Sequence, residues 1–284
     1  RVESSNEKFI VVKPRISGNI TRYLWYQFRL KKMLKKENAS VFISNNHNCS
    51  IGSSCKQLIT INSERVFKER DLAATLKKSS GIICTDLFLK NKLTEKFPFT
   101  NDKIIVLTPP AHSGTRALTF SQKEEVKAVY SEKHDYFLVQ WHLATAEKIT
   151  MLLKAFSLFK KWQKSGMKIV LVANENGRQE IHKVIANYKF REDVFIAEEK
   201  QASVLSKAAY AAIFIPDNDV IDSSMMNLLS SQVPLALTSN QHFLSFFGDT
   251  VSFFEENEIS LSKTMIQLYK DENFRNQQIA KALQ

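Results

Sequence analysis

The stretch Asp135–Leu283 alternates apolar runs with helical periods, and that order limits the possible folds more than any other feature of the chain. It opens with the apolar run Tyr136–Val139. A polar break containing Lys148 follows, then an amphipathic helix over Ile149–Lys164. A second run, Lys168–Ala173, precedes a third, Ala211–Pro216. An acidic and polar loop, Asp217–Ser224, leads into a helical Met225–Ser231 and the run Val233–Ser239. Ile259–Leu283 is helical by pattern. Strands separated by helical periods predict a parallel sheet. Ligands of such sheets bind at the carboxyl ends of the strands. Lys148 and the Asp217–Asn227 loop both fall at such ends.

The first half is read in the same way. Phe9–Lys13 is an apolar run stopped by Pro14, and Ile20–Lys36 is a helix with five basic residues from Arg29 to Lys36. Val41–Ser44 and Leu58–Ile61 have the pattern of buried strands. Asp71–Lys78 is helical, Gly81–Thr85 a strand, Asp86–Lys96 a helix with Asp86 near its start, and Ile104–Thr108 a strand closed by Pro109 and Pro110. Ala111–Phe120 is polar and poor in helix formers, and Ser121–Tyr130 is charged and helical. These shifts place a first α/β domain at residues 1–110, a linker at 111–134 and a second domain at 135–284. At 284 residues the chain is long enough for two domains of ordinary size.

Charge divides at the same place. Residues 1–134 hold 24 Lys and Arg against 12 acids, a net +12, while residues 135–284 hold 16 against 17, a net −1. Such asymmetry points to an anionic partner for the first half: a membrane surface, a phosphorylated acceptor or nucleic acid. Nucleic acid is the weakest of the three, since no recognition motif is present and the half reads as α/β. Tyr23, Trp25, Tyr26 and Phe28 interleave with the basic residues of the Ile20–Lys36 helix. That pattern suits a membrane interface, an ordinary helix with its aromatics in the core, or buried aromatics beneath a basic face that meets anionic lipid.

Three cysteines, Cys49, Cys55 and Cys84, show no metal spacing and suit a reducing compartment. The N-x-S/T triplets at Asn19, Asn38 and Asn48 are read as chance without a secretory signal. The chain opens on Arg1 rather than Met, so the natural protein is expected to begin earlier. No apolar stretch is long enough to span a bilayer. No Ser/His/Asp arrangement, metal cluster or glycine-rich phosphate loop stands out, and seven glycines in 284 residues is few.

The order and spacing of these segments resemble the retaining glycosyltransferases of family 4. Leu152–Lys161 (LLKAFSLFKK), Lys168–Ala173 (KIVLVA), Val204–Pro216 (VLSKAAYAAIFIP) and Asn227–Ser239 (NLLSSQVPLALTS) are similar to successive parts of that family's donor domain. Cys84–Leu107 is similar to the helix and strand that end its first domain. The resemblance covers most of the chain, without the family's first strand and helix. It implies the GT-B fold, two facing Rossmann-like domains with the donor in the cleft between them.

The resemblance also implies a set of site residues. The family's two acidic donor residues fall on Asp219 and Asn227, with Asn227 holding the ribose. Asp219 and the loop amides of Asp222, Ser223 and Ser224 would orient the sugar. Lys148 stands where a lysine clamps the donor diphosphate, and His142 stands near the place of an arginine. Cations are needed there because negative charge develops on the leaving phosphate. Trp141 replaces a strand-end glycine, and an acceptor-side His-Asp pair maps onto Asn62 and Ser63. The implied activity is transfer of a hexose from a nucleotide sugar to a glycan or lipid-linked acceptor with retention. No metal or cofactor is expected. A cytoplasmic protein is implied, with peripheral contact to the inner membrane face through the basic half. A catalytically inactive GT-B binding partner is the alternative.

The same residues have plainer uses. Lys148 suits a solvated helix start, His142 a strand end, and Asp219 and Asn227 loop and cap chemistry. Ser223 or Ser224 suits an N-cap of Met225–Ser231.

Overall fold

The computed structural model describes residues 19–110, 117–140 and 145–282. The Phe9–Lys13 run, Trp141 and His142 lie outside them. The chain divides into two compact units, Arg1–Thr85 with Leu89–Leu107, and Asp86–Phe88 with Thr108–Gln284.

The first unit carries a four-stranded sheet in the order β1 (Val41–Ser44), β2 (Lys56–Ile61), β3 (Gly81–Cys84), β4 (Ile104–Val106). Every pair is parallel. Alternate strand residues share a face. Ile59, Ile61, Ile82 and Cys84 are therefore buried together, and Leu30, Leu34, Leu72 and Leu76 complete the core. Here the expectation of two buried strands fails for β1. It is an edge strand among the described residues, and Val41 and Ile43 are 51% and 64% exposed.

The basic helix runs as α1 (Asn19–Leu24), a π-helical stretch Trp25–Leu30, and α2 (Lys31–Lys36). The π stretch carries Tyr26 and Gln27 toward the segment after β1. The Tyr26 hydroxyl bonds the side chain of Asn46, and Gln27 bonds the backbone of Cys49 and Ile51. The aromatics divide: Trp25 and Tyr26 are half-buried, whereas Tyr23 and Phe28 are exposed. α3 (Leu72–Lys78) and α4 (Leu87–Lys96) follow the sequence reading closely. Cys49, Cys55 and Cys84 are free thiols.

α5 (Phe120–Tyr130), which the sequence reading placed in the linker, packs on α8 (Ala202–Ala208) in the second unit. Thr119 closes its start with a reciprocal cap to Gln122.

The second unit is built on a six-stranded parallel sheet. Its strands are β5 (Tyr136–Gln140), β6 (Lys168–Ala173), β7 (Val194–Glu198), β8 (Ala211–Phe214), β9 (Leu235–Thr238) and β10 (Ser252–Phe254). Their spatial order is β10-β9-β8-β5-β6-β7. Both faces are covered, which explains why β5, β6 and β8 read as unbroken apolar runs. Phe137, Val139, Ile169, Leu171 and Ile213 enter one core with α6 (Ala146–Gln163) and α11 (Glu258–Lys270). Tyr136, Leu138, Val170, Val172 and Phe214 enter the other with α8, α9 (Ser223–Ser230) and α10 (Gln241–Phe247).

The sequence reading passed over β7, β10 and the helices α7 (Glu175–Ile185), α8 and α10. It also merged α11 with α12 (Glu272–Ala282), which are separated at Asp271. Among the described residues no helix is long and apolar enough to cross a membrane.

α6 shows how the pattern becomes packing. Ile149, Leu152, Leu153, Phe156 and Phe159 recur at helical spacing and are all buried. Phe156 is 0% exposed and stacks on Phe159 with ring centroids 5.9 Å apart. Phe156→Ala should destabilise the second unit by about 3–5 kcal/mol, because a buried aromatic leaves a cavity its neighbours only partly fill. Urea unfolding followed by near-UV circular dichroism checks this, and an unchanged midpoint would contradict the packing.

Candidate functional site

Reversal of strand order places the candidate site. The chain runs outward from β5 to β7, returns to β8 beside β5, and continues outward to β10. The chain therefore goes on from β5 and from β8 toward opposite edges of the sheet, to β6 and to β9, which makes the β5/β8 boundary a topological switch point. Ligands of open α/β sheets bind at such a point.

Lys148 reaches the end of β8 from the first turn of α6. Thr145 caps that helix and accepts from the Lys148 amide. The ammonium donates to the Pro216 carbonyl, just past β8, at 2.7 Å. It also lies 3.2 Å from an Asp217 carboxylate oxygen and 3.2 Å from one of Glu256, on the loop after β10. Its side chain is 13% exposed, whereas the two carboxylates are about half exposed. The lysine lies within the first turn of α6, largely buried rather than solvated, and is held by two acids that the sequence reading did not anticipate.

Asp219, from the same loop, belongs to a different cluster. His242 lies in the first turn of α10, behind the Asn240 cap. Its Nε2 is 2.7 Å from Asp86 Oδ2, and its Nδ1 is 3.6 Å from Asp219 Oδ2. The ring stacks on Phe88 at 5.1 Å. His242 is 1% exposed and Asp86 4%. Burial opposes the charged ring most strongly, but the aspartates Asp219 and Asp86 together outweigh it and raise the pKa to about 9. A cation in the first turn of a helix also meets an unfavourable dipole. The flanking carboxylates are what make an imidazolium tolerable there.

Asp222 is not aimed at a ligand. It is the N-cap of α9, accepting from the Ser224 amide at 2.9 Å, the Met225 amide at 3.1 Å and the Ser224 hydroxyl. This corrects the cap assignment to Ser223 or Ser224, because one carboxylate satisfies all three donors. It also takes up the Ser224 amide that the sequence reading offered to a sugar. Ser223 and Asn227 lie on α9 half-buried. Ile221 is 2% exposed and belongs to the core with Met225.

In the first unit, Asn62 and Ser63 follow β2. Ser63 is buried and caps the short helix Glu64–Lys68, accepting from the Arg65 amide at 3.1 Å. That structural use argues against a substrate contact for Ser63, and Asn62 is half-buried. His142 cannot be placed, since it lies outside the described residues. Among the described residues no group of His, Cys, Asp and Glu is arranged to hold a metal ion.

Loops at these strand ends are acidic. Residues 208–262 hold seven Asp and Glu and no Lys or Arg. Lys148 and the His242 imidazolium are cations brought among them.

His242 and Asp86 were not anticipated as a pair. They are 156 residues apart and carry no joint motif. Asp86 reads as a helix start and His242 as one polar residue in an apolar helix.

The raised pKa of His242 has a definite consequence for stability. Its folded value of about 9 exceeds its ordinary 6.5, so its contribution is complete below pH 6.5 and is lost as pH rises through 9. The full contribution, and hence the loss across that range, is about 3 kcal/mol. The unfolding midpoint of the native chain should fall more steeply over this range than that of His242→Gln. Parallel pH profiles would show that the ring is not charged in the folded state.

No protein-family model matches the sequence, and no characterised protein matches it by sequence. Solved structures do match by fold. WaaG, a glycosyltransferase involved in lipopolysaccharide biosynthesis, superposes with a TM-score of 0.71 at 12% identity, covering 96% of this chain and 79% of that one. HepE of Anabaena, solved with UDP and glucose, gives 0.69 at 9% identity, covering 91% and 76%. A glycosyltransferase from Rickettsia africae gives 0.67 at 14% identity, covering 96% and 79%. With two parallel Rossmann-like sheets, the chain has the GT-B fold.

Proposed function

We propose that this chain is a glycosyltransferase that moves a hexose from a nucleotide sugar to a glycan or lipid-linked acceptor with retention. The observation that carries the reading is the Lys148 ammonium on the Pro216 carbonyl, just past β8 and beside the point where strand order reverses. A diphosphate bound there would place its developing negative charge against that ammonium. Lys148 would stabilise the leaving diphosphate and His142 would assist. Asn227 would bind the ribose by hydrogen bonding, as a neutral amide can. Asp219 would orient the sugar while its other side faces His242. Asp222 is set aside as a cap, and Asn62 replaces the Asn62–Ser63 pair on the acceptor side. The chemistry calls for no resident metal or cofactor, since side-chain cations supply the charge. The basic first unit would meet an acidic or lipid-linked acceptor, with the protein cytoplasmic and peripheral at an anionic membrane face.

A specific observation favours a second reading. Asp217 and Glu256 already neutralise Lys148, as expected if the GT-B fold has been kept for binding a glycan or a partner protein without catalysis.

UDP is the first ligand to test, because HepE was solved with it. GDP, ADP and the corresponding sugars come next. Saturation at about 100 times the dissociation constant should stabilise the protein by about 2.7 kcal/mol. The thermal shift should be selective for one nucleotide and vanish in Lys148→Ala. In turnover assays that variant should lose kcat far more than it raises KM if the lysine acts in the transition state. No shift with any nucleotide on folded protein would leave the binding reading in place.

The Asp217→Asn, Glu256→Gln double variant separates the two readings further. Freeing the ammonium should tighten nucleotide diphosphate binding about tenfold, since two half-exposed ion pairs contribute about 1–2 kcal/mol together. Isothermal titration measures it. Equal affinity would mean the diphosphate does not meet Lys148.

A further inference from the structure

A second concave surface lies in the first unit, at the amino ends of β1 and β2, opposite the strand ends that carry Asn62. It is an open concavity of about 700 Å³ between α2 and the segment leading into β2. Lys31, Lys35 and Lys56 line it, with Ser40, Ser53 and Ser54. We infer that this concavity binds a phosphate-bearing ligand, held by the three ammonium groups and the serine hydroxyls. The inference does not depend on the transferase reading.

Charge is the first argument. Residues 19–63 contain seven Lys and Arg and a single acid, Glu37. No ion pair joins Lys31, Lys35 or Lys56 to a carboxylate among the described residues. Three like charges around one concavity repel each other, and a multiply charged anion relieves that repulsion.

Rigidity is the second argument. The segment leading into the rim is held by two side-chain amides, one buried and one half-buried. Gln57, 0% exposed, donates to the Ser50 carbonyl and accepts from the Ser50 amide, both at 2.8 Å. Gln27 donates to the Cys49 carbonyl and accepts from the Ile51 amide at 2.9 Å. Beyond them the Ser53 amide bonds Ser50, and the Cys55 amide bonds the Ser53 hydroxyl. A segment pinned this way offers its donors without a large ordering cost. The absence of a side chain at Gly52 matters as well: a Cβ there would meet the Lys31 Nζ at 3.2 Å.

Phosphate fits this chemistry better than a carboxylate, since it accepts from several ammonium and hydroxyl donors at once. The volume exceeds one phosphate and suits a larger molecule that bears it. Such a group can come from the headgroup of an anionic lipid or from a soluble phosphate compound. The exposed Leu24 and Phe28 on the same helix, 46% and 64% accessible, would stand beside a lipid headgroup in the first case.

The test uses the full chain in three forms: native, a pocket variant (Lys31→Ala, Lys35→Ala, Lys56→Ala), and a control variant (Lys32→Ala, Lys36→Ala, Lys77→Ala) with the same net charge as the pocket variant. The lysines are on the surface, and far-UV circular dichroism verifies folding. Inorganic phosphate and pyrophosphate are titrated by thermal shift. Vesicles of phosphatidylcholine, with and without phosphatidylglycerol, are tested by co-sedimentation. A soluble source is identified if pyrophosphate binds the native and control forms and at least about tenfold less tightly the pocket form. A lipid source is identified if only the anionic vesicles show that pattern. Equal weakening of the pocket and control variants would reduce the effect to diffuse charge and overturn the site. Failure of the native chain to bind either probe would overturn it as well. Pyrophosphate can also meet Lys148, so binding that is undiminished in the pocket variant would be assigned there and would overturn this site as well.

Discussion

Burying both faces of a six-stranded parallel sheet leaves little but the strand ends for chemistry. In the second unit both sides of β5, β6 and β8 are packed under helices. Polar side chains are therefore confined to loops and helix starts. Asn174, Asp222, Asn240 and Asn257 all cap helices that follow strands in this way. Most of the polar residues at this edge thus serve the fold first. Lys148 is different: its ammonium is directed to the carbonyl of Pro216, across the point where strand order reverses.

Electrostatics give the two units different characters. The second unit gathers acids at its working edge and then neutralises them locally, with Lys148 between Asp217 and Glu256 and His242 between Asp86 and Asp219. A buried imidazolium is costly to maintain, and removing one partner of such a pair is strongly destabilising. In the first unit the positive charge is left largely on the surface, where it is available to long-range attraction rather than spent on the fold.

Much of the fold was legible because parallel strands under two layers of helix write themselves as apolar runs. Lys168–Ala173 was read to the residue, and the Ile149–Phe159 stripe gave α6. β7 was missed because Phe195 and Ile196 are only half-buried and Glu198 ends the run. β10 has three residues, too few to show a period. The site was less legible for a different reason. Lys148 could be placed at a strand end because the alternation of apolar runs and helical periods marks where strands stop. The partners Glu256, His242 and Asp86 come together only through tertiary contact, and no spacing along the chain encodes them. Asp222 was read in sequence only as a donor-loop residue, with the cap given to Ser223 or Ser224, and the backbone amides of α9 show it to be the cap.

Two carboxylates on Lys148 do not by themselves argue that the site is dead. Each is about half exposed, so each regains most of its hydration when released. Exposed ion pairs of this kind contribute about 0.2–1 kcal/mol apiece. A ligand with micromolar affinity binds with about 8 kcal/mol, so displacing both would cost a minor part of it. A diphosphate brings two or more charges to the same ammonium and needs no side chain to be ordered for it. Against a diphosphate bound as proposed, the acids would therefore be a weak competitor, tuning affinity by about one order of magnitude. Whether Lys148 works in a transferase would then turn on what else contacts the donor, and on the family resemblance Asn227 in place of a ribose-binding carboxylate would be the larger loss. A neutral amide can bond a ribose hydroxyl, but it gives up the added strength of a charged acceptor.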